Sequence, residues 1–340
     1  MVQSSSSVAQ SSEFCSPLFI SAEMTRQVLT FPDVIAALRA AYSVQHGPYV
    51  SPPRVVTRGD GNWLRALAAT PPKSRFMGTK VFGFGRAKSV SYLISLFDQQ
   101  TGALAALIDA NLITAYRTAA TSAVAADVLA PKGPATLAVL GSGLEAQMHA
   151  RAVANVRPVS ALRVFSPTAK NREAFAATFS RELGITCVPV ASPEEAVSGA
   201  NIVIAAARSH DETPILRGKW LRDGMMVISI GSTLPEQHEI DEEVVSGSDL
   251  IVCDLCEEVI HETGDMLAAK AAGVEFESKI ISLNELLTIE AARAATSKRP
   301  MFKSVGAALQ DIVVAELAVE KAVAAGLAQQ SGLNFLMKQT

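Results

Sequence analysis

The sequence is poor in cysteine, in long apolar runs and in charge of one sign, and each shortage removes a class of protein. Four of its 340 residues are cysteine, Cys15, Cys187, Cys253 and Cys256. That is too few for a disulfide framework to hold a chain of this length. The one close pair, Cys253-Asp-Leu-Cys256, has no second pair and no histidine at ligand spacing. It reads as two reduced thiols at a strand end, and no metal is expected. No apolar run approaches the ~20 residues of a membrane-spanning helix. The net charge is −3, with lysine and arginine spread along the chain and no basic block or acidic tail. Neither nucleic acid nor a membrane is therefore expected as a partner. The start, MVQSSSSVAQSSEFCS, lacks the charged beginning and apolar stretch of a secretory signal. It reads as a disordered tail over residues 1–17, and a cytoplasmic location is the default expectation.

What is present is apolar and falls into two rhythms. Hydrophobic residues make up 49% of the chain, which excludes wholesale disorder and allows a sizeable core. The length suits two domains at about 100–200 residues each. SAEMTRQVLTFPDVIAALRAAYSVQ predicts two helices, the second opening at Pro32-Asp33 with Val34, Ile35, Leu38 and Ala41 on one face. WLRALAAT, FMGTKVFGFG and VSYLISLFD predict strands, and Gln100-Thr101-Gly102 a hairpin turn. NLITAYRTAATSAVAADVLA predicts a long alanine-rich helix ending before Pro131.

From residue 135 strands and helices alternate. The strands are TLAVLG, ALRVFSP, TCVPVA, ANIVIAAA, MMVISIG, DLIVCD and KIISL. Continuous Val/Ile runs between helices predict a parallel sheet covered on both faces. SVGAALQDIVVAELAVEKAVAAGL then reads as one long amphipathic helix.

The run Gly141-Ser142-Gly143-Leu144-Glu145-Ala146, between an apolar strand and a helix, fits G-x-G-x-x-A. The first glycine permits a tight turn, the second lets backbone approach a pyrophosphate, and the small third residue allows close helix–strand packing. Helix-start amides then face the phosphates. A nicotinamide dinucleotide is therefore expected. At the tip of the second strand Ser166 stands where an NAD-specific site places a carboxylate, and Thr168, Lys170 and Arg172 follow. That pattern favours NADP(H), with NAD(H) as the alternative. A solvated helix face is the other reading of Lys170 and Arg172.

Three cations sit in unusual settings: Arg54 in SPPRVV, Lys80 in GTKVFGFG and Arg117 in ITAYRTAAT. Cations among apolar neighbours are rarely buried unpaired. Either a bound carboxylate pairs them or internal acids do, with Asp98, Asp109 and Asp127 as candidates. His149 and His210 are placed as polar surface or capping groups rather than ligands.

PPRVV, GTKVFGF, TGALAALIDANLITAYRTAATSAVA, LAVLGSGLEAQMHARAV, IGSTLPEQHEID, ETGDML and MFKSVGAALQD together resemble the ornithine cyclodeaminase/mu-crystallin family, from about Phe19 to Leu327. The resemblance implies a homodimer and an α/β fold: a Rossmann-type doubly wound parallel sheet inserted into a second α+β domain for substrate binding and dimerisation. The expected domains are residues 18–130 plus 310–335, and 131–309 for the dinucleotide. Arg54, Lys80 and Arg117 match the family's substrate-carboxylate ligands. Asp311 matches a position near the nicotinamide, with a helix-dipole partner at the start of the last helix as the alternative, and Thr118 and Gly231 join the expected cofactor contacts. Glu239 matches a glutamate expected to fix the loop it shares with His238.

One departure bears on the chemistry. The resemblance implies a catalytic Asp in the cyclodeaminase branch at the position occupied here by Thr233, and a small hydroxyl residue in the ketimine-reducing branch. A hydroxyl cannot replace a carboxylate base. Turn formation is the structural alternative for Thr233. The expected enzyme is an NAD(P)-dependent oxidoreductase acting on C=N/CH–NH bonds, reducing small linear or cyclic α-imino acids or running in reverse on α-amino acids. Lys80 is the expected proton donor, directly or through a water near Thr233. Two other readings stay open: cyclodeaminase-type ammonia loss with recycled NAD, and a non-catalytic NADP-binding protein. Val81 to Gly85 and the Thr233 region are expected to wall the substrate pocket.

Overall fold

The computed structural model describes residues 14–338. Ser21 and Thr30 cap the helices Ala22–Val28 and Phe31–Tyr42, accepting from the amides of Met24 and Asp33. The second helix buries Phe31, Val34, Ile35, Leu38 and Tyr42. Period-2 sequences then build a seven-stranded sheet. Its order is Gln329–Gln330, Leu18–Ile20, Leu104–Asp109, Val90–Asp98, Phe76–Phe84, Asn62–Ala69, Val55–Gly59. From Leu104–Asp109 onward neighbours are antiparallel. Asp98 Oδ1 accepts from the amides of Gln100 and Thr101 and closes the expected hairpin.

The pleat separates two faces. Leu67, Lys80 and Ile94 lie side by side on the inner face, and Ala66, Val81 and Leu93 on the outer. The closing helix Ala308–Ala324 packs against the strands from within. A Cβ at Gly78 would stand 2.4 Å from Ser95 O and 2.9 Å from Ile312 Cδ1. Glycine there lets the helix meet the strand that carries Lys80.

The second sheet has eight strands, all parallel. Its order is Thr186–Pro189, Val159–Phe165, Ala135–Leu140, Ile202–Ala205, Met226–Ser229, Pro300–Lys303, Leu250–Cys253, Ile280–Ser282. The central runs are buried at every position, as a sheet covered on both faces requires. Strand order reverses between Ala135–Leu140 and Ile202–Ala205, the switch point at which such sheets form a crevice beyond their carboxyl ends. The helix Asn111–Leu129 touches both sheets. It is buried on nearly every side, which its run of small residues permits.

Three sequence expectations change. Pro300–Lys303 is a fully buried strand in the middle of the sheet. Its four residues open with proline and follow a charged stretch, so they carry no strand signal of their own. The final helix begins at Ala308 rather than Ser304, because Gly306 takes φ 84 and breaks the helical path. Of the expected disordered tail over residues 1–17, residues 1–13 lie outside the described residues, whereas Phe14–Cys15 pair with Phe335–Leu336. No helix among the described residues is long and apolar enough to cross a membrane.

Candidate active site

Lys80 occupies an inward position of an alternating strand and is 1% exposed. Arg117 lies on the alanine-rich helix and is 7% exposed. Burial at this depth demands a counter-charge. Asp311, in the first turn of the closing helix, supplies it to both. Its Oδ1 stands 3.0 Å from Lys80 Nζ and 2.9 Å from Arg117 Nε. Arg117 Nη1 also donates to Gln310 Oε1 at 2.9 Å. Arg54 pairs with Glu258 through both its amide and its Nε, and its Nη2 donates to the carbonyls of Val305 and Gly306 at 2.8 and 3.0 Å. The internal acids offered by the sequence serve elsewhere. Asp98 holds Arg75, Asp127 holds Arg39, and Asp109 accepts from the Asn111 amide.

The three cations converge on a cavity of about 320 Å³ between the two sheets. Each keeps a donor directed to no described residue. Lys80 spends one of its three N–H groups, and Arg54 Nη1 and Arg117 Nη2 make no internal hydrogen bond. The sheet wall carries Trp63, Arg65, Phe82, Val90 and Tyr92; Thr114, Thr118, Glu145, Ile230, Thr233, Leu234, Gln237, Ser304, Val305 and Gly306 complete the lining. Of the expected wall Val81 to Gly85, only Phe82 lines the cavity: Val81 and Gly83 face outward, and Phe84 stacks on Trp63. Lys80 Nζ lies 5.2 Å from the ring centres of both Phe82 and Tyr92. Burial lowers the Lys80 pKa to about 8, with the Asp311 carboxylate opposing the fall and Arg117 adding to it.

The dinucleotide loop abuts this cavity. Gly141 ends its strand with φ 126, and a Cβ there would lie 2.8 Å from Ala206 O, across the switch point. Gly143 is the N-cap of the helix Leu144–Ala154, which receives no side-chain capping bond, and a Cβ at Gly143 would meet nothing within 4 Å. Ala146 is fully buried against the sheet and Leu144 is exposed. Open space before uncapped amides, with a small residue behind, fits a dinucleotide pyrophosphate. Glu145 stands in the first turn of this helix, its side chain lines the cavity, and its Oε2 is buried without a hydrogen-bond partner. Burial raises its pKa against the pull of Arg117 and Lys80.

At the second strand tip Ser166 is buried and accepts from Ser142 Oγ at 3.0 Å. Thr168 is an N-cap without a side-chain bond, and Lys170 is exposed. Arg172 Nη1 donates to Ser166 O at 2.9 Å, so it braces the tip instead of pointing into solvent. Thr118 Oγ1 donates to Thr114 O at 2.7 Å while its residue lines the cavity. Thr233 combines both roles open to it: it lines the cavity, and its amide and hydroxyl meet Gln237 Oε1 at 2.9 and 3.3 Å.

Glu239 ties the loops around the crevice together. It accepts from the amides of Ala207, Ile230 and Gly231 and from Ser229 Oγ. Burial pushes its carboxyl up to about 7, while Lys303 pulls the other way. Lys303, fully buried between Ser229 Oγ at 2.8 Å and Asp265 Oδ2 at 2.6 Å, has no signal in the sequence because its strand has none. His149 is buried between Ser122 and the carbonyl of Glu145, with its pKa lowered to about 4 by burial, so it is a neutral packing group. His210 is exposed on its loop. No three His, Cys, Asp or Glu among the described residues are placed to hold a metal.

Comparison with known proteins shows the family of the chain. The profile of the ornithine cyclodeaminase/mu-crystallin family matches residues 19–326. Ketimine reductase mu-crystallin of Mus musculus is 31% identical over 88% of this chain and 96% of that protein. A Delta(1)-pyrroline-2-carboxylate reductase of Bacillus cereus is 31% identical over 72% of this chain and 74% of its own. The solved Delta(1)-pyrroline-2-carboxylate reductase of Thermococcus litoralis, in complex with NADH and L-proline, is 29% identical. It superposes with a TM-score of 0.84 over 92% of this chain and 99% of its own. The chain belongs to the ornithine cyclodeaminase/mu-crystallin family.

Proposed function

We propose that the chain is an NAD(P)H-dependent reductase of small α-imino acids, linear or cyclic ketimines, and runs the reverse amino-acid dehydrogenation. One observation carries this reading. Arg54, Lys80 and Arg117 direct their spare donors into a cavity that opens on the dinucleotide helix. The spare donors fit a substrate carboxylate, held in fixed orientation. The reductases among the relatives are consistent with it.

A bound nicotinamide would supply or accept the hydride at the imine carbon. The chain's own residues do the rest. Arg54 and Arg117 hold the carboxylate and Asp311 fixes the direction of Arg117. Lys80, with a pKa of about 8, carries a proton at neutral pH and can pass it to the substrate nitrogen. Glu145 offers an acceptor to the N–H of the protonated imine or of the amine. Thr233 places a hydroxyl, already engaged by Gln237, where ring-closing deamination would need a carboxylate base, which argues for reduction over cyclodeamination.

NADP(H) is the favoured cofactor. Ser166 brings no negative charge to the ribose, and Lys170 and Arg172 stand beside it. Ser166→Asp should shift preference towards NADH by about tenfold or more. We also propose a homodimer formed on the outer face of the seven-stranded sheet, which exposes Phe19, Val55, Leu64 and Leu93.

The test follows oxidation of NADPH and NADH with α-keto acids plus ammonia or methylamine, and with cyclic imino acids. Net consumption of reduced dinucleotide is the expected result. Ammonia and proline formed from ornithine without net redox would replace this reading with cyclodeamination. Tight dinucleotide binding without turnover on any imino acid would favour a binding protein.

A further inference from the structure

Arg65 is a cavity cation that the reaction above does not use. It lies in the strand Asn62–Ala69, opposite Phe82 and on the same inner face as Leu67 and Lys80. Lys80 pairs with Leu67, so Arg65 stands one pleat repeat, about 7 Å, further along the sheet. It is 5% exposed. Its guanidinium lies 4.7 Å from the Trp63 ring centre and 5.8 Å from that of Phe82. Contact with two rings restrains the position of the guanidinium.

Arg54, Lys80 and Arg117 each have an internal carboxylate. Among the described residues Arg65 has none, and its Nε is buried without a hydrogen-bond partner. Arg54 and Arg58 crowd it with like charge, and Glu258 and Glu262 compensate only in part. An unpaired guanidinium in such a place is costly and calls for an anion. That anion reaches Arg65 through the cavity it lines.

We infer that Arg65 binds a second carboxylate, so that the substrate is a dicarboxylic α-imino acid of four or five carbons. Its α-carboxylate rests on Arg54, Lys80 and Arg117, and its side-chain carboxylate rests on Arg65. Lys80 Nζ and the Arg65 guanidinium lie 5.2 and 5.8 Å from the same ring centre, that of Phe82, which puts both within reach of one small dicarboxylate. This inference rests on the reductase reading. A buried arginine also rejects apolar side chains, because they would leave it without a partner.

The test compares imines formed by ammonia from oxaloacetate and 2-oxoglutarate with the imine formed from pyruvate, in wild type and Arg65→Met. Wild type should prefer the dicarboxylic substrates. Arg65→Met should lose at least about thirtyfold in kcat/KM on them, mostly in KM, and change less than about threefold on the pyruvate imine. Arg65→Lys should recover part of the loss. As a binding readout, L-aspartate or L-glutamate with oxidised dinucleotide should raise the Tm of wild type more than L-alanine does, and the difference should vanish in Arg65→Met. Equal losses on both substrate classes would overturn the inference, since Arg65 would then serve the α-carboxylate or the fold. Turnover of monocarboxylic imines, unaffected by Arg65→Met and without a dicarboxylate preference, would overturn it and leave the reductase reading intact. No turnover of any imine would overturn both.

Discussion

Lys80 Nζ and Asp311 Oδ1 stand 3.0 Å apart, although 231 positions separate the two residues in the chain. The contact joins an inner strand of the seven-stranded sheet to the first turn of the closing helix. It exists because Gly78 lets that helix touch the strand. The same oxygen holds Arg117. One carboxylate thus sets the position of two cations facing one cavity.

Asp311→Asn should therefore do two things. Two buried cations lose their counter-charge, and stability should fall by about 3–5 kcal/mol in urea unfolding. The Asp311 carboxylate opposes the lowering of the Lys80 pKa, so its removal should drive that pKa below about 8. The alkaline limb of the activity profile should move to lower pH. An unmoved limb would show that Lys80 does not control it.

Lys80 makes the pH dependence of wild type predictable. For imine reduction the protonated ammonium is the useful form. Its fraction falls as pH rises through about 8, so kcat/KM should decline above that pH with a slope of one proton. Lys80→Met should abolish the limb and lower turnover about 100- to 10,000-fold. Dinucleotide affinity, followed by protein fluorescence, should change little. A retained limb in Lys80→Met would assign the proton to another group.

Arg117→Ala tests the anion site apart from the cofactor site. Loss of the fork should reduce kcat/KM by about 2–5 kcal/mol in transition-state terms while leaving NADPH affinity within about twofold. Arg117→Lys retains the charge without the fork and should recover only part of the activity. Loss of NADPH binding in either variant would show that Arg117 serves the dinucleotide instead.

Much of this site was legible in the sequence because its signals are local. The glycine loop, the proline-flanked Arg54, and Lys80 and Arg117 among apolar neighbours each stand out within a few residues. What pairs them was not legible. Asp311 and Glu258 lie more than 190 positions from their arginine or lysine partners, and nothing in their own helices marks them as counter-ions. Pro300–Lys303 escaped because four residues opening with proline resemble a loop until neighbouring strands bury them. Arg65 carries no local signal, because Trp63 and Leu67 on its own face and Leu64 and Ala66 on the other are all apolar and the alternation does not say which face is inside. The pleat that turns Lys80 inward turns Arg65 inward too, and only the register between the two strands shows it.

The two loop glycines separate folding from cofactor binding. At Gly141 a side chain would need φ 126 and would meet Ala206 O at 2.8 Å, so Gly141→Ala should strain the backbone and lower stability along with binding. Gly143 has φ −73, and nothing lies within 4 Å of its would-be Cβ. Gly143→Ala should therefore fold with an unchanged Tm, since its conformation suits any residue. The methyl group would nevertheless project into the space through which a bound pyrophosphate would approach the amides of Leu144 and Glu145. Dinucleotide Kd should rise at least about tenfold, measured by fluorescence titration, as expected when close backbone approach is blocked. A Gly143→Ala protein with wild-type affinity would place the phosphates elsewhere and remove the Gly143-centred account of the crevice.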